Sequence, residues 1–447
     1  MANLNDKHLA VAGQRSLNDD HRPAFAQCEV EQAALWYTDG KLDTARSLQP
    51  ELDGKPLDFA SDEKKLNVVV YSGGEATIEN AKLNLSGWGC SDFSCKGTGI
   101  LAKDNAVVTV KNADIETRGA TRCATIATTG ATLKVYDSKL ATYGGELPPD
   151  YVPVIGPGMM EPPAPLGLAG NCRSHLSMDG CKSYFYHCDI FAQAWGAVST
   201  DASGGWLYTE VNDSRITVAG NGYATYADNG CHVVFNRCQI DSGNMALIQD
   251  GNSSVCFNNT ECQCAGYGML LHGGMEHLAD IGIIRWEGGS LKVKDQGILC
   301  KSTNVDVYMK NAAFESQLGV LVESKLTDDR MYFTRRTTGL DLYGVQFTFE
   351  DMALTGDFLM GDPERPQKLN FVSTTLTGAI AGNPLVTLTE GSKWTAAADS
   401  LVTFCGPVTV EMLDAQERCK ITAFAGEGCG LKAGEYALPS GGQLIVK

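Results

Sequence analysis

The chain has 447 residues, a net charge of −17, 49 glycines, 15 prolines and 16 cysteines. That acidity argues against a nucleic-acid partner, whose phosphates it would repel, and no apolar run approaches the length of a membrane span. The N-terminus lacks the basic start and apolar stretch of a signal peptide, so a cytoplasmic location with reduced cysteines is expected.

Residues 1–65 do not fit the pattern that follows and are expected to cap it, hiding the apolar face of the first coil. From about Val68 onward one short pattern recurs, apolar–x–apolar–x–turn–x–x–apolar, as in Val108–Ile115, Leu133–Leu140 and Val233–Ile240. Its last apolar residue falls at Leu83, Ile115, Leu140, Ile190, Ile216, Ile240, Cys262, Leu291, Phe314, Phe347 and Leu376. Such a period, with strand-like alternation and no helical stripe, predicts an all-β, right-handed parallel β-helix (solenoid) of about ten coils with N- and C-terminal caps. The coils are expected over 66–395, with 396–447 as a C-terminal cap or pairing segment. Cys188 and Cys238 share a register two residues before the anchor and are read as small interior side chains.

One step in the series is double length. Residues 144–170 hold seven of the 15 prolines. Proline cannot join a central ladder, so this insertion leaves the coil as an extended loop, a lid or wall over a site or else an oligomer contact.

A second strand-like run follows each anchor. Aligned without gaps, its fifth column reads Thr128, Asp201, Asp228, Asp250, Gly273, Ser302, Ser324, and its fourth Ala127, Thr200, Ala227, Gln249, His272, Lys301, Glu323. Neighbouring coils bring matching residues to ~4.8 Å, which makes Asp201, Asp228 and Asp250 a row of carboxylates continued by His272 and Lys301. A row of like charges gives the fold nothing. It is a solvated turn edge, a seat for a divalent cation such as Ca2+, or an acid–base site.

Here the chain resembles the right-handed parallel β-helix proteins of the pectin lyase-like superfamily, which includes lyases, epimerases, glycoside hydrolases and esterases acting on sugars. The order of Asp228, Gln249-Asp250-Gly251, His272-Gly273 and Lys301 is similar to the Asn-Thr-Asp, Asp-Asp, Gly-His-Gly and Arg-x-Lys signatures of polygalacturonase-type glycosidases. Gln249 stands where those enzymes carry an acid, and Leu299 where they carry an arginine. The residues themselves suggest first a lyase or isomerase acting by proton abstraction, with Asp228 or Asp250 as base, His272 returning the proton and Lys301 steadying an oxyanion. A glycoside hydrolase using Asp201 and Asp250, and a non-catalytic binding or assembly protein, are the other readings. Arg173, His175, Arg215, Arg237, Gln249 and Glu323 are candidate substrate-binding residues. The expected partner is a small polyhydroxylated or carbonyl-bearing molecule or a short saccharide, with no organic cofactor.

Overall fold

The computed structural model describes residues 30–50, 55–89, 95–145, 172–201, 206–228, 230–273, 281–327, 342–389 and 391–447, the side chain of Asp201 excepted. The Pro-rich insertion expected at 144–170 lies almost wholly outside them. The described residues fall into two compact units, one ending at Asn244 and the other beginning at Met245. Both consist of right-handed parallel-β coils, most with three strands, the second and third running together in Ser254–Cys264 and Gly282–Val293. No helix among the described residues is long and apolar enough to cross a membrane.

In the first unit the leading strands of successive coils are Leu35–Thr38, Val69–Ser72, Ile100–Lys103, Cys123–Ala127, Arg173–Met178, Trp195–Asp201 and Gly222–Ala227. Each pairs in parallel with the next. In the second unit the series is Met245–Asp250, Met269–His272, Ile298–Lys301, Val320–Lys325, Asp357–Met360 and Ile380–Ala381. Parallel pairing therefore reaches beyond the boundaries expected at 65 and 395. Leu35–Thr38 already pairs with Val69–Ser72, and Ser400–Phe404, Lys420–Ala425 and Gln443–Val446 extend the sheet of the second strands beyond Leu385–Leu388. At each outer end the last parallel strand also takes a short antiparallel partner. Lys41–Leu42 pairs with the first, and Gly434–Ala437 with the last.

The predicted anchors stack as the repeat requires. Leu83, Ile115, Leu140, Ile190, Ile216 and Ile240 pair in succession on the third strands, as do Cys262, Leu291 and Phe314, and all are buried. Phe347 is the exception. It pairs with Val307 on the second strands, and the anchor file of the later coils is Leu354, Leu376, Trp394, Leu413. The aromatic alternation Val345-Gln-Phe-Thr-Phe349 has the same period as a third strand, so pattern alone displaced it by one strand.

Between second and third strands each coil turns through one residue in the left-handed region. Asn80, Asn112, Asp137, His187, Asp213, Arg237, Asn259, Asn311, Asp351 and Ser373 occupy this seat with φ between 47° and 57°. Asn and Asp tolerate it best because their short polar side chains bond locally, which explains the turn letter of the repeat. In several coils the following residue carries a small hydrogen-bonding group. Ser138 Oγ accepts from Ala113 N–H at 3.0 Å, Ser214 Oγ from Cys188 N–H at 2.9 Å, and the Cys238 thiol donates to Val211 C=O at 3.2 Å. Cys188 and Cys238 are thus buried as expected, and their thiols serve as turn donors as well as filling space.

Several leading strands differ from the others in being buried on both faces. Cys123–Ala127, Arg173–Met178, Met269–His272 and Ile298–Lys301 are buried at every residue, whereas Thr132–Tyr136 alternates as a sheet with one wet face does. His175 and Ser177 point into the coil, where they meet Phe185, Ser183 and Thr209. Alternation then sends Leu176 to the other face, in file with Trp36, Val70, Leu101 and Ile126 as an apolar cluster. Arg122, fully buried just before its strand, ties the neighbouring loops. Its Nε and both Nη groups donate to the carbonyls of Gly87, Leu66, Gly97, Glu63 and Ser86 at 2.5 to 3.2 Å. Burial lowers its pKa to about 10, which leaves it cationic at neutral pH.

Candidate functional site

The second unit assembles one part of the predicted machinery. Its ladder pairs Asp250 with His272, His272 with Lys301 and Lys301 with Lys325. Gapless alignment set Gln249 beside His272 and Asp250 beside Gly273. The coils differ by one residue there, and the true register puts the acid next to the imidazole. His272 Nδ1 and Asp250 Oδ1 are 3.8 Å apart, with side chains 1 % and 14 % exposed. At that separation the contact is electrostatic, longer than a hydrogen bond.

Desolvation, reinforced by the neighbouring Lys301 ammonium, lowers the His272 pKa to about 3. The imidazole is therefore neutral at physiological pH, and its part is that of a neutral donor or acceptor instead of an imidazolium acid. Lys301 is itself buried on the strand Ile298–Lys301.

Gln249 faces the other way. It is fully buried, donates from Nε2 to Gly251 C=O at 2.6 Å and lies against Gly282, where any Cβ would collide with its amide. Its Oε1 has no hydrogen-bond partner among the described residues. The residue expected to bind substrate is thus a clamp on the turn after Asp250. Glu323 is displaced too. It sits opposite Leu299, two residues from the position expected beside Lys301, and accepts a hydrogen bond from Gln296 Nε2 at 2.8 Å. A buried ion pair follows in the next coil, Arg365 to Asp362 at 3.3 Å.

The first unit holds Asp201 and Asp228. Asp201 ends its strand in register with Met178, and Asp228 follows the strand Gly222–Ala227, half-buried. Thr200 fixes that strand end, its Oγ1 donating to Tyr226 C=O at 2.8 Å and accepting from Asp228 N–H at 3.2 Å. Arg173 is buried with its guanidinium carbon 6.0 Å from the Trp195 ring centroid.

His175 lies inside the coil, away from any groove. Its Nδ1 is 2.9 Å from Thr125 Oγ1 and its Nε2 2.8 Å from Ser177 Oγ, and burial lowers its pKa to about 3. Its place in the chain beside Arg173 suggested a binding role. Two residues apart on one strand, Arg173 and His175 lie on the same side of it, and both are buried. Arg215 and Arg237 stand on the flank of the coils, exposed, Arg215 3.4 Å from Asp241 and Arg237 forked onto Asp213 at 2.6 and 2.7 Å. These arginines meet carboxylates from neighbouring coils on the side strands, as solvated pairs.

Among the described residues no three His, Cys, Asp or Glu side chains are grouped to hold a metal ion. Sequence reasoning missed Lys325. It sits at the end of a strand whose register is shifted at Val320–Val322 relative to the next coil, a feature with no counterpart in the repeat pattern. Comparison of the chain with protein-family models, with curated proteins and with solved structures gave no match. The fold and the file of ionisable residues are therefore the observations from which function is argued.

Proposed function

We propose that the protein is an enzyme doing acid–base chemistry, a lyase or isomerase acting by proton abstraction on a small polyhydroxylated or carbonyl-bearing molecule. The reading rests on one observation, the nearly dry Asp250–His272 pair followed in register by Lys301. In this reading Asp250 is the base. A carboxylate with little water around it is a stronger proton acceptor than a solvated one. His272, neutral, holds a hydrogen bond to a substrate oxygen and relays the proton to its new position. Lys301 stabilises the enolate-like oxygen that forms as the proton leaves.

We place the chain among pectin lyase-like β-helices on the order Asp250, His272, Lys301 over three successive coils. This likeness supports a substrate of sugar type.

The test is isotope exchange. The protein is incubated in D2O with a panel of aldoses, ketoses and sugar acids, and carbon-bound protons are followed by NMR. The expected result is exchange, elimination or isomerisation of one class, lost at least a hundredfold in Asp250→Asn with an unchanged melting temperature. Wild-type turnover in Asp250→Asn, or no reaction with any panel member, would refute the reading.

A further inference from the structure

The outer face of the second strands changes character over four coils of the first unit. In the second unit that face carries ion pairs between neighbouring coils, Arg285 with Asp306 at 3.1 Å and Lys310 with Glu350 at 2.7 Å. On Thr132–Tyr136, Lys182–Tyr186, Leu207–Asn212 and Cys231–Asn236 many of the outward positions are aromatic instead. Register sets Tyr136 beside Tyr186 and Tyr208 beside His232, with Tyr184 between the two pairs. Ring centroids are 4.9 Å apart for Tyr136 and Tyr186, 5.7 Å for Tyr184 and Tyr208, and 5.3 Å for Tyr208 and His232. All five rings keep part of their surface in water.

Trp206 extends this stripe. It lies two residues before Tyr208, on the same side of the strand by alternation, and is 65 % exposed. Continuing the strand register places Gly180 and Gly230 next to it in the coils on either side. Neither has a side chain, and a Cβ built on Gly180 would meet only the Trp206 carbonyl, at 3.9 Å. The indole therefore stands in an open slot, and among the described residues no other ring and no cation meets it. Ring contacts between coils give the tyrosines a structural role. They give none to Trp206, which leaves a large apolar surface in water.

The polar groups among the rings indicate what the slot fits. Glu210 pairs with Tyr184 in the ladder and accepts from Tyr208 Oη at 2.6 Å and from Asn212 Nδ2 at 2.9 Å. Lys134 and Lys182 stand beside Tyr184 and Tyr208. Lys and Glu are depleted from the dry centres of protein interfaces, and the one aliphatic side chain among these outward positions, Val234, is buried. Both facts speak against a protein partner. A carboxylate flanked by two ammonium groups suits an uncharged ligand that donates to the one and accepts from the others. A sugar chain meets every requirement, because each of its rings has an apolar C–H face to lay on an aromatic ring and a rim of hydroxyls. The ~4.8 Å between coils is also close to the repeat of such a chain.

We propose that the stripe from Trp206 through Tyr208 to Tyr184 is a binding platform for a neutral oligosaccharide chain, with one sugar ring stacked on the Trp206 indole and the hydroxyls of the rings that follow bonded to Lys182 and Glu210. The platform lies wholly in the first unit and uses no part of the Asp250–His272 pair, so it stands whether or not that pair is catalytic.

Calorimetric titration of the full chain at pH 7 with cello-, xylo-, manno- and maltohexaose tests the proposal. Saturable binding of at least one is expected, tighter than that of the corresponding monosaccharide. Trp206→Ala should weaken it tenfold or more at an unchanged melting temperature, and Trp206→Phe, which keeps a ring face, should retain most of it. Phe424→Ala, which removes an exposed ring from the second unit, should leave it unchanged. Absence of saturable binding by all four chains, or wild-type affinity in Trp206→Ala, overturns the platform. So does self-association of the wild-type chain that is lost in Trp206→Ala without any saccharide binding, which would make the patch an interface between copies of this chain.

Discussion

His175 and His272 are both fully buried, and both have pKa values near 3 against 6.5 in a free side chain. Their surroundings differ. His175 is held by the hydroxyls of Thr125 and Ser177 inside a coil, whereas His272 stands between Asp250 and Lys301. The consequence for stability has one sign. The unfolded chain binds a proton at each histidine below about pH 6.5, and the folded chain does so only near pH 3. The unfolded state then carries more protons, and stability falls as the pH is lowered through that window. Each histidine contributes a loss of about 1.4 kcal/mol per pH unit. Urea midpoints at pH 7, 6 and 5 measure it. His175→Gln, which keeps a polar group in contact with Thr125 and Ser177, is expected to remove one histidine's share of the slope. An unchanged slope would mean that His175 is protonated in the native state.

At the scale of the element, the controlling feature is the left-handed seat between second and third strands. His187 occupies it at φ 53° where most of the other coils place Asn or Asp, and its exposed ring is 3.5 Å from Asp137. A residue other than Gly, Asn or Asp held in that conformation costs about 1 kcal/mol, more than an exposed contact of this kind returns. His187→Asn is expected to stabilise the protein by roughly 0.5–1 kcal/mol, read as a rise in melting temperature. The same element shows what the sequence carried and what it did not. The turn letter and the apolar anchors are properties of single residues, so the coils were legible from Leu83 to Phe314. Register is a property of pairs of coils. One extra residue in a corner moved Asp250 from Gly273 to His272, and a two-residue offset replaced Glu323 by Lys325 opposite Lys301. Side-chain direction was lost in the same way. Gln249 was assigned to a site from its neighbour Asp250, while alternation turns it the other way; His175 shares a face with Arg173 and is held inside the coil by Thr125 and Ser177.

On the scale of the whole molecule, stability is built from contacts between neighbouring coils, so the outer strands carry a special risk: an unpaired ladder edge is a template for another chain. The C-terminal edge is managed by Gln443–Val446, which covers Lys420–Ala425, and by the reversed strand Gly434–Ala437 beside it. Removal of residues 434–447 would expose the ladder edge of Lys420–Ala425 together with buried Ile421 and Ala423. The truncated chain is expected to self-associate, visible as a concentration-dependent increase in mass by light scattering. A monodisperse truncated chain would show that the edge is protected by other means. The reversed strands at Lys41–Leu42 and Gly434–Ala437 also bear on how such a chain changes length. A repeat appended outside either one would meet a strand running the wrong way, so an added coil would have to enter between existing ones. Each such event re-deals which charged side chains become vertical neighbours, and new chemistry can arise from an insertion without the substitution of a single amino acid.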